Sequence, residues 1–245
     1  MATLGVAVFS FDGIKDLGPC LESVAWADRI VLIHLGSAAP NVGARELPAL
    51  AVRRLASWRE ADKYCAETGT DWMLYLWGDE RLDAALARAL REFRAAPAQA
   101  AGVYALRVRS LILNQWVEGG VSGPSPSARL ARGKENPLGW WKKARDAREI
   151  ADGWIEDYGT ADLAQAVERV QALSDYWAAR LIETTAPPGA LKTILIAARG
   201  KIKMLLRSRF FGRGLAGVAL AALASYGVLL SGAKLWEARH ANGRG

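Results

Sequence analysis

The stretch Asp71-Trp72-Met73-Leu74-Tyr75-Leu76-Trp77-Gly78-Asp79-Glu80 decides the fold. Its unbroken apolar run is too short for a helix and reads as a strand buried on both faces, ending in acid at Asp79 and Glu80. Working outward, strands are expected over residues 4–9, 29–34, 71–76 and 102–109, with helices over 15–24, 58–67 and 83–94 between them. This alternation predicts an α/β class with a mostly parallel sheet, and such sheets bind ligands beyond the carboxyl ends of their strands. Residues 117–149 are rich in Gly, Pro and Ser and then basic, and read as loops over one edge of the site. Helical periodicity returns over 162–183, with Leu163, Val167, Val170, Leu173 and Trp177 on one side, before Ala186-Pro187-Pro188-Gly189 breaks the chain.

Several further stretches occur in a telling order: Cys20-Leu21-Glu22-Ser23-Val24, Trp26-Ala27-Asp28, the apolar run 30–33, Gly36-Ser37, Asp71-Trp72, Asp79-Glu80-Arg81, Gly119-Gly120, Arg129-Leu130, Arg132-Gly133-Lys134 and, near the end, Ala233-Lys234-Leu235-Trp236-Glu237. Together they resemble the nucleotide-sugar-dependent family 2 glycosyltransferases, closest to the small membrane-associated enzymes that decorate the lipopolysaccharide core. The resemblance implies a GT-A fold, a nucleotide-diphosphate sugar as donor and a lipid-linked saccharide as acceptor. It also implies inverting transfer in envelope polysaccharide or glycolipid assembly.

The chain departs from the family where the chemistry lies. The family's strand closes with Leu-Asp-Ala-Asp-Glu, but the first of those aspartates is Trp77 here. An indole cannot ligate Mg2+ or Mn2+, which want hard oxygen ligands, so Asp79, with Glu80 beside it, is left to hold the metal. His34 stands where the family has a nucleotide-contacting acid. It is either a contact to the base or a histidine satisfied by its neighbours. Asp12 falls where the family has an asparagine near the base, and reads equally as a turn or cap residue. The family's base lies near a His-Glu pair whose place is taken by Lys143-Ala144, and Asp146 is the nearest carboxylate that can substitute. The alternative is a catalytically inactive homologue that binds a nucleotide, a glycan or a partner glycosyltransferase.

Composition locates the molecule. The 245 residues, half of them apolar, suit one α/β core with an appendage. Cys20 and Cys65 make no disulfide framework, and the first residues read as a strand rather than a targeting segment. Zinc spacing, a Ser/His/Asp arrangement and a Walker loop are not apparent. Residues 191–213 carry Lys192, Arg199, Lys201, Lys203, Arg207, Arg209 and Arg213 with no acid, which alone accounts for the net charge of +7. These cations share helical spacing with an apolar stripe of Leu191, Ile194, Leu195, Ala198, Ile202 and Leu205, the pattern of a helix on an anionic membrane rather than on nucleic acid. The next twenty residues, 214–233, are uncharged and just long enough to cross a bilayer or to form a monotopic segment. The expected domains are therefore 1–149 for nucleotide-sugar binding, a helical extension over 150–189, and a C-terminal helical membrane-associating region over 190–245. The expected location is the cytoplasmic face of the inner membrane, and truncation after Thr185 is expected to release a soluble domain.

Overall fold

The computed structural model describes residues 1–12, 14–43, 47–55, 58–95, 102–120, 125–132, 147–184 and 214–241. In chain order the elements are β1 (Leu4–Ser10), α1 (Gly18–Ser23), β2 (Arg29–His34), β3 (Leu50–Arg54), α2 (Trp58–Ala66), β4 (Trp72–Trp77), β5 (Glu80–Leu82) and α3 (Ala84–Ala95). They continue with β6 (Val103–Ile112), β7 (Gln115–Glu118), β8 (Ser127–Arg132), β9 (Arg148–Asp157), α4 (Leu163–Thr184) and α5 (Gly214–Ala241). The strands form one nine-stranded sheet in the order β3-β2-β1-β4-β8-β6-β9-β5, with β7 pairing to β6.

The first four strands run parallel, β8 is antiparallel to both of its neighbours, and β6 and β9 return to the original direction. Only β5, β7 and β8 run the other way, so the mixed α/β class and the mostly parallel sheet are as expected. The region read as loops is not all loop: β7 ends within it, β8 crosses it, and β9 begins inside it. Strand β9 also carries the sheet past residue 149 to Asp157.

Strand alternation explains why both faces are covered. Phe9, Ile33, Met73, Tyr75 and Trp77 face a core shared with α2, α4 and α5, while Val6, Val8, Leu32, Leu74 and Leu76 face a second core shared with α1 and α3. Trp72 packs edge-on against Phe93 and Tyr104 in the second core. Helix α3 starts at Asp83, whose Oδ1 accepts the Leu86 amide at 2.8 Å.

Helix α5 is long and apolar enough to cross a membrane by length and composition, with a mean hydropathy of 1.8 over an 18-residue window within Gly214–Ala238. Yet 44% of that window is buried. Ala216, Leu220, Ala221 and Leu223 join Val170 and Leu173 of α4 in the first core, and Gly227 lets Val170 and Trp177 approach closely. The opposite side leaves Leu215, Val218, Tyr226, Leu229 and Trp236 exposed, spaced as one helical stripe. The helix is thus cemented to the body along one side. The basic stretch 191–213 lies outside the described residues.

Full burial of a leucine or valine side chain contributes about 1.5–3 kcal/mol, so losing α5 costs several such terms at once. Deleting residues 214–245 should therefore leave a chain that binds a hydrophobic dye, aggregates and unfolds at a markedly lower denaturant concentration. A soluble fragment with an unchanged, cooperative urea midpoint would contradict this packing.

Candidate functional site

Strand order places the site. From β1 the chain moves to β2 and β3 on one side, then returns to β4 on the other, so the carboxyl ends of β1 and β4 flank a topological switch point. Ser10 is in register with His34, and Phe9 with Trp77, which sets His34 and Asp79 at the same sheet edge. A cleft of about 280 Å³ opens there. Ile14, Lys15 and Asp16 line it from the segment after β1, Gly78 and Asp79 from the turn after β4, Arg81 from β5, and Tyr158, Gly159, Ala161, Gln165 and Arg169 from α4 and the turn before it.

The turn Gly78-Asp79 is fixed from three sides. Its Gly78 amide donates to the Phe9 carbonyl at 2.8 Å, and the Asp79 carbonyl accepts the Tyr158 amide at 3.1 Å. A Cβ on Gly78 would come within 2.2 Å of Leu17, and one on Gly159 within 2.1 Å of Asp79 Oδ2. Both glycines are therefore required for the close approach of these segments. Arg169 reaches Asp79 through Nε at 2.8 Å from Oδ2 and through Nη2, which donates to Oδ1 at 2.9 Å. The same guanidinium donates from Nη1 to Asp157 Oδ1 at 2.6 Å. Asp157 also accepts the Ser110 hydroxyl and the Gly159 amide.

Glu80, fully buried, turns away from the cleft. Arg129 donates to both of its oxygens, at 2.7 and 3.0 Å, and the Trp77 amide donates to Oε2 at 2.9 Å. The cluster thus holds three carboxylates against two guanidinium groups, which leaves one negative charge uncompensated. Burial raises Glu80, with the Arg129 charge opposing the rise, and burial lifts Asp79 to about 7 against the pull of Arg169. Asp79 keeps 15% of its side chain exposed and is the member that meets the cleft. Burial pulls Arg169 down, but Asp157, Asp79 and Glu80 outweigh it and hold the guanidinium charged.

These residues do not suit a divalent cation. The oxygens of Asp79 and Glu80 are already taken by guanidinium groups, and no group of three or more metal-ligating side chains occurs among the described residues. Trp77 does not lie over a latent metal position either. Its indole packs against Phe9 and Phe11 in the first core, 3% exposed. Replacing it by aspartate would put a charge among aromatic rings and destabilise the fold rather than restore a ligand.

The other expected residues form a separate constellation at the same edge. His34 is buried, with Nδ1 3.3 Å from the Ser10 hydroxyl and Nε2 3.3 Å from Asp12 Oδ1. Asp12 accepts the Ser37 amide and hydroxyl, both at 2.9 Å, and the Ala38 amide at 3.0 Å. These bonds, the Ser37 amide first, hold its carboxyl down at about 2. Ser10, His34 and Asp12 therefore form a Ser-His-Asp line in space that no spacing along the chain signals. With Ser10 only 1% exposed, no substrate reaches the hydroxyl, and the arrangement pins the turn after β2. Gly36 permits it, since a Cβ there would meet Asp12 Oδ1 at 2.0 Å.

Sequence reasoning brought Asp79 to the cleft but missed Arg169 and Asp157. A signal for Arg169 was present: it sits between Ala166 and Leu173 on the buried side of α4, where a charge requires a partner. Asp146 lies outside the described residues.

No protein-family model matches the sequence, and no curated protein does. Among solved structures, that of S. aureus TarS 1–349 is similar at a TM-score of 0.47 and 11% identity, covering 99% of this chain and 92% of that one. A longer TarS structure gives 0.42 and 13%, covering 87% and 45%. Likeness at this level carries no argument about activity, which has to be read from the residues themselves.

The elevated Asp79 carboxyl gives stability a defined pH dependence. A carboxyl that is higher in the folded chain contributes stability fully below its ordinary value of 3.8, and that contribution is lost as pH rises towards about 7. Glu80 acts in the same direction. Urea unfolding should show the wild type losing on the order of a kcal/mol or more between pH 5 and pH 8, and Asp79→Asn should flatten that slope. A wild type more stable at pH 8 than at pH 5 would contradict the charge arrangement.

Proposed function

We propose that the chain is a glycosyltransferase of envelope polysaccharide or glycolipid assembly, of the GT-A type and resembling family 2, that moves a sugar from a nucleotide-diphosphate donor to a lipid-linked saccharide. The observation that carries this reading is the cleft at the switch point between β1 and β4, where Lys15, Arg81 and Arg169 meet two carboxyls, Asp16 and Asp79, the second of near-neutral proton affinity. Lys15 and Arg81 supply the charge that a diphosphate leaving group needs, and Arg169, neutralised by Asp79 and Asp157, holds Asp79 in place beside them.

In the transfer, the acceptor hydroxyl oxygen attacks the anomeric carbon as the bond to the diphosphate breaks. The nucleoside diphosphate leaves with the electron pair, and the hydroxyl proton passes to a base. Asp79 is suited to that role by its place in the cleft and by its proton affinity. The exposed stripe of α5 and the seven cations of residues 191–213 suit attachment to the cytoplasmic face of the inner membrane, near a lipid-linked acceptor. One observation favours the second reading, a non-catalytic module that binds a nucleotide, a glycan or a partner glycosyltransferase. Both Asp79 oxygens are engaged by Arg169, as in a site whose chemistry has been replaced by an ion pair.

Calorimetric titration with UDP and a panel of nucleotide sugars, paired with a transfer assay, separates these readings. Lys15→Ala and Arg81→Ala should each weaken nucleotide binding by about tenfold, corresponding to roughly 1.4 kcal/mol. Asp79→Asn should abolish transfer while binding persists. Binding without transfer in the wild type would favour the module, and binding of no nucleotide would overturn the donor site.

A further inference from the structure

Beside the cleft, one face of the sheet is built in an unusual way. Strands β5, β9, β6 and β7 are neighbours in that order, and Leu82, Ile155 and Val108 turn their side chains into the second core. Their alternate positions face outward: Arg81 on β5, Trp154 and Glu156 on β9, Arg107 and Arg109 on β6. Tyr158, just past β9, and Trp116 on β7 complete the face. They form a continuous ladder of rings and guanidinium groups. Arg81 lies over Tyr158 at 4.2 Å, and Tyr158 meets Trp116 edge-on at 5.3 Å. Arg109 lies 4.7 Å from Trp116 and 5.6 Å from Trp154, and Arg107 covers Trp154 at 3.7 Å.

Two of its three cations are left over. Arg109 pairs with Glu156 and stands opposite Glu118 in the β6–β7 register. Among the described residues, Arg81 and Arg107 have no carboxylate partner within ion-pair distance. They mark the two ends of the ladder, and Arg81 and Tyr158 also line the cleft with Asp79. Trp116 is 39% exposed. A guanidinium laid over a ring keeps its N–H edge for a two-point contact to an oxyanion, while the exposed indole of Trp116 suits the C–H face of a sugar ring. Four adjacent strands span about 14 Å, room for more than a single sugar.

We propose that this ladder is the acceptor track: it binds an acidic saccharide, a carboxylate or phosphate group on Arg107, and leads the chain end past Tyr158 to Asp79. The assignment rests on the cleft being the donor site. It adds that the acceptor is anionic and approaches across β7, β6, β9 and β5.

The test uses the full chain with two probes, an oligogalacturonate tetrasaccharide and a phosphorylated oligosaccharide, against a neutral maltotetraose control, with UDP titrated separately. At least one acidic probe should bind, more weakly as salt rises, and the neutral control should not compete. Arg107→Ala and Trp154→Leu should each lower that affinity by about tenfold or more without altering UDP binding or the thermal midpoint appreciably, and Arg107→Lys should restore only part. Absence of binding by both acidic probes, equal binding of the neutral one, or affinity that survives both substitutions would overturn the track. Loss of UDP binding in the wild type would instead count against the donor site, because the saccharide titration is read independently.

Discussion

The cleft at the carboxyl edge depends on the ion pair between Arg169 and the two carboxylates it bridges, Asp79 and Asp157. Asp79 belongs to the turn after β4, Asp157 to the end of β9, and Arg169 to α4. One guanidinium therefore ties the parallel half of the sheet, its mixed half and the helical layer together. Arg129 and Glu80 form a second buried pair behind it. Removing one partner of such a pair leaves a charge uncompensated and costs about 3–5 kcal/mol, so these contacts fix geometry more than they add net stability. Burial first, and the neighbouring carboxylates Asp157 and Glu80 after it, give Asp79 its high proton affinity against the pull of Arg169, so the same arrangement shapes both fold and site.

Much of the fold was legible because apolar alternation and punctuation are local signals. Strands β1, β2 and β4 and helices α2 and α3 lie within a residue or so of their expected bounds. The strands that escaped notice lack that signal. Strand β8 carries Arg129 in its buried centre, and β9 exposes charged and aromatic side chains on its outward face, so neither reads as an apolar run. What supports them is cross-strand pairing and ion pairing, which no window of sequence contains.

The site was legible only in part for the same reason. Asp79 announced itself at the end of an apolar strand, whereas its partner Arg169 lies ninety residues further along. The meaning of Trp77 also depended on direction. By sequence it displaces a metal ligand; in the fold its ring belongs to the core, and the cation at the edge is a guanidinium supplied by α4. His34 and Asp12 illustrate the converse, since residues that looked like nucleotide contacts are spent largely on each other and on the turn at Ser37. The C-terminal helix follows the same lesson, for an apolar composition suited to a bilayer is half used in covering the sheet.

Under the proposed function, Lys15 and Arg81 of the cleft take the place of a divalent cation beside the diphosphate. Titrating UDP into the protein in excess EDTA and again in excess Mn2+ tests it most directly. Equal affinities under the two conditions are expected, because the charge opposite the diphosphate is supplied by the Lys15 and Arg81 side chains. Binding that appears only with Mn2+, or that weakens by about tenfold or more in EDTA, would contradict it.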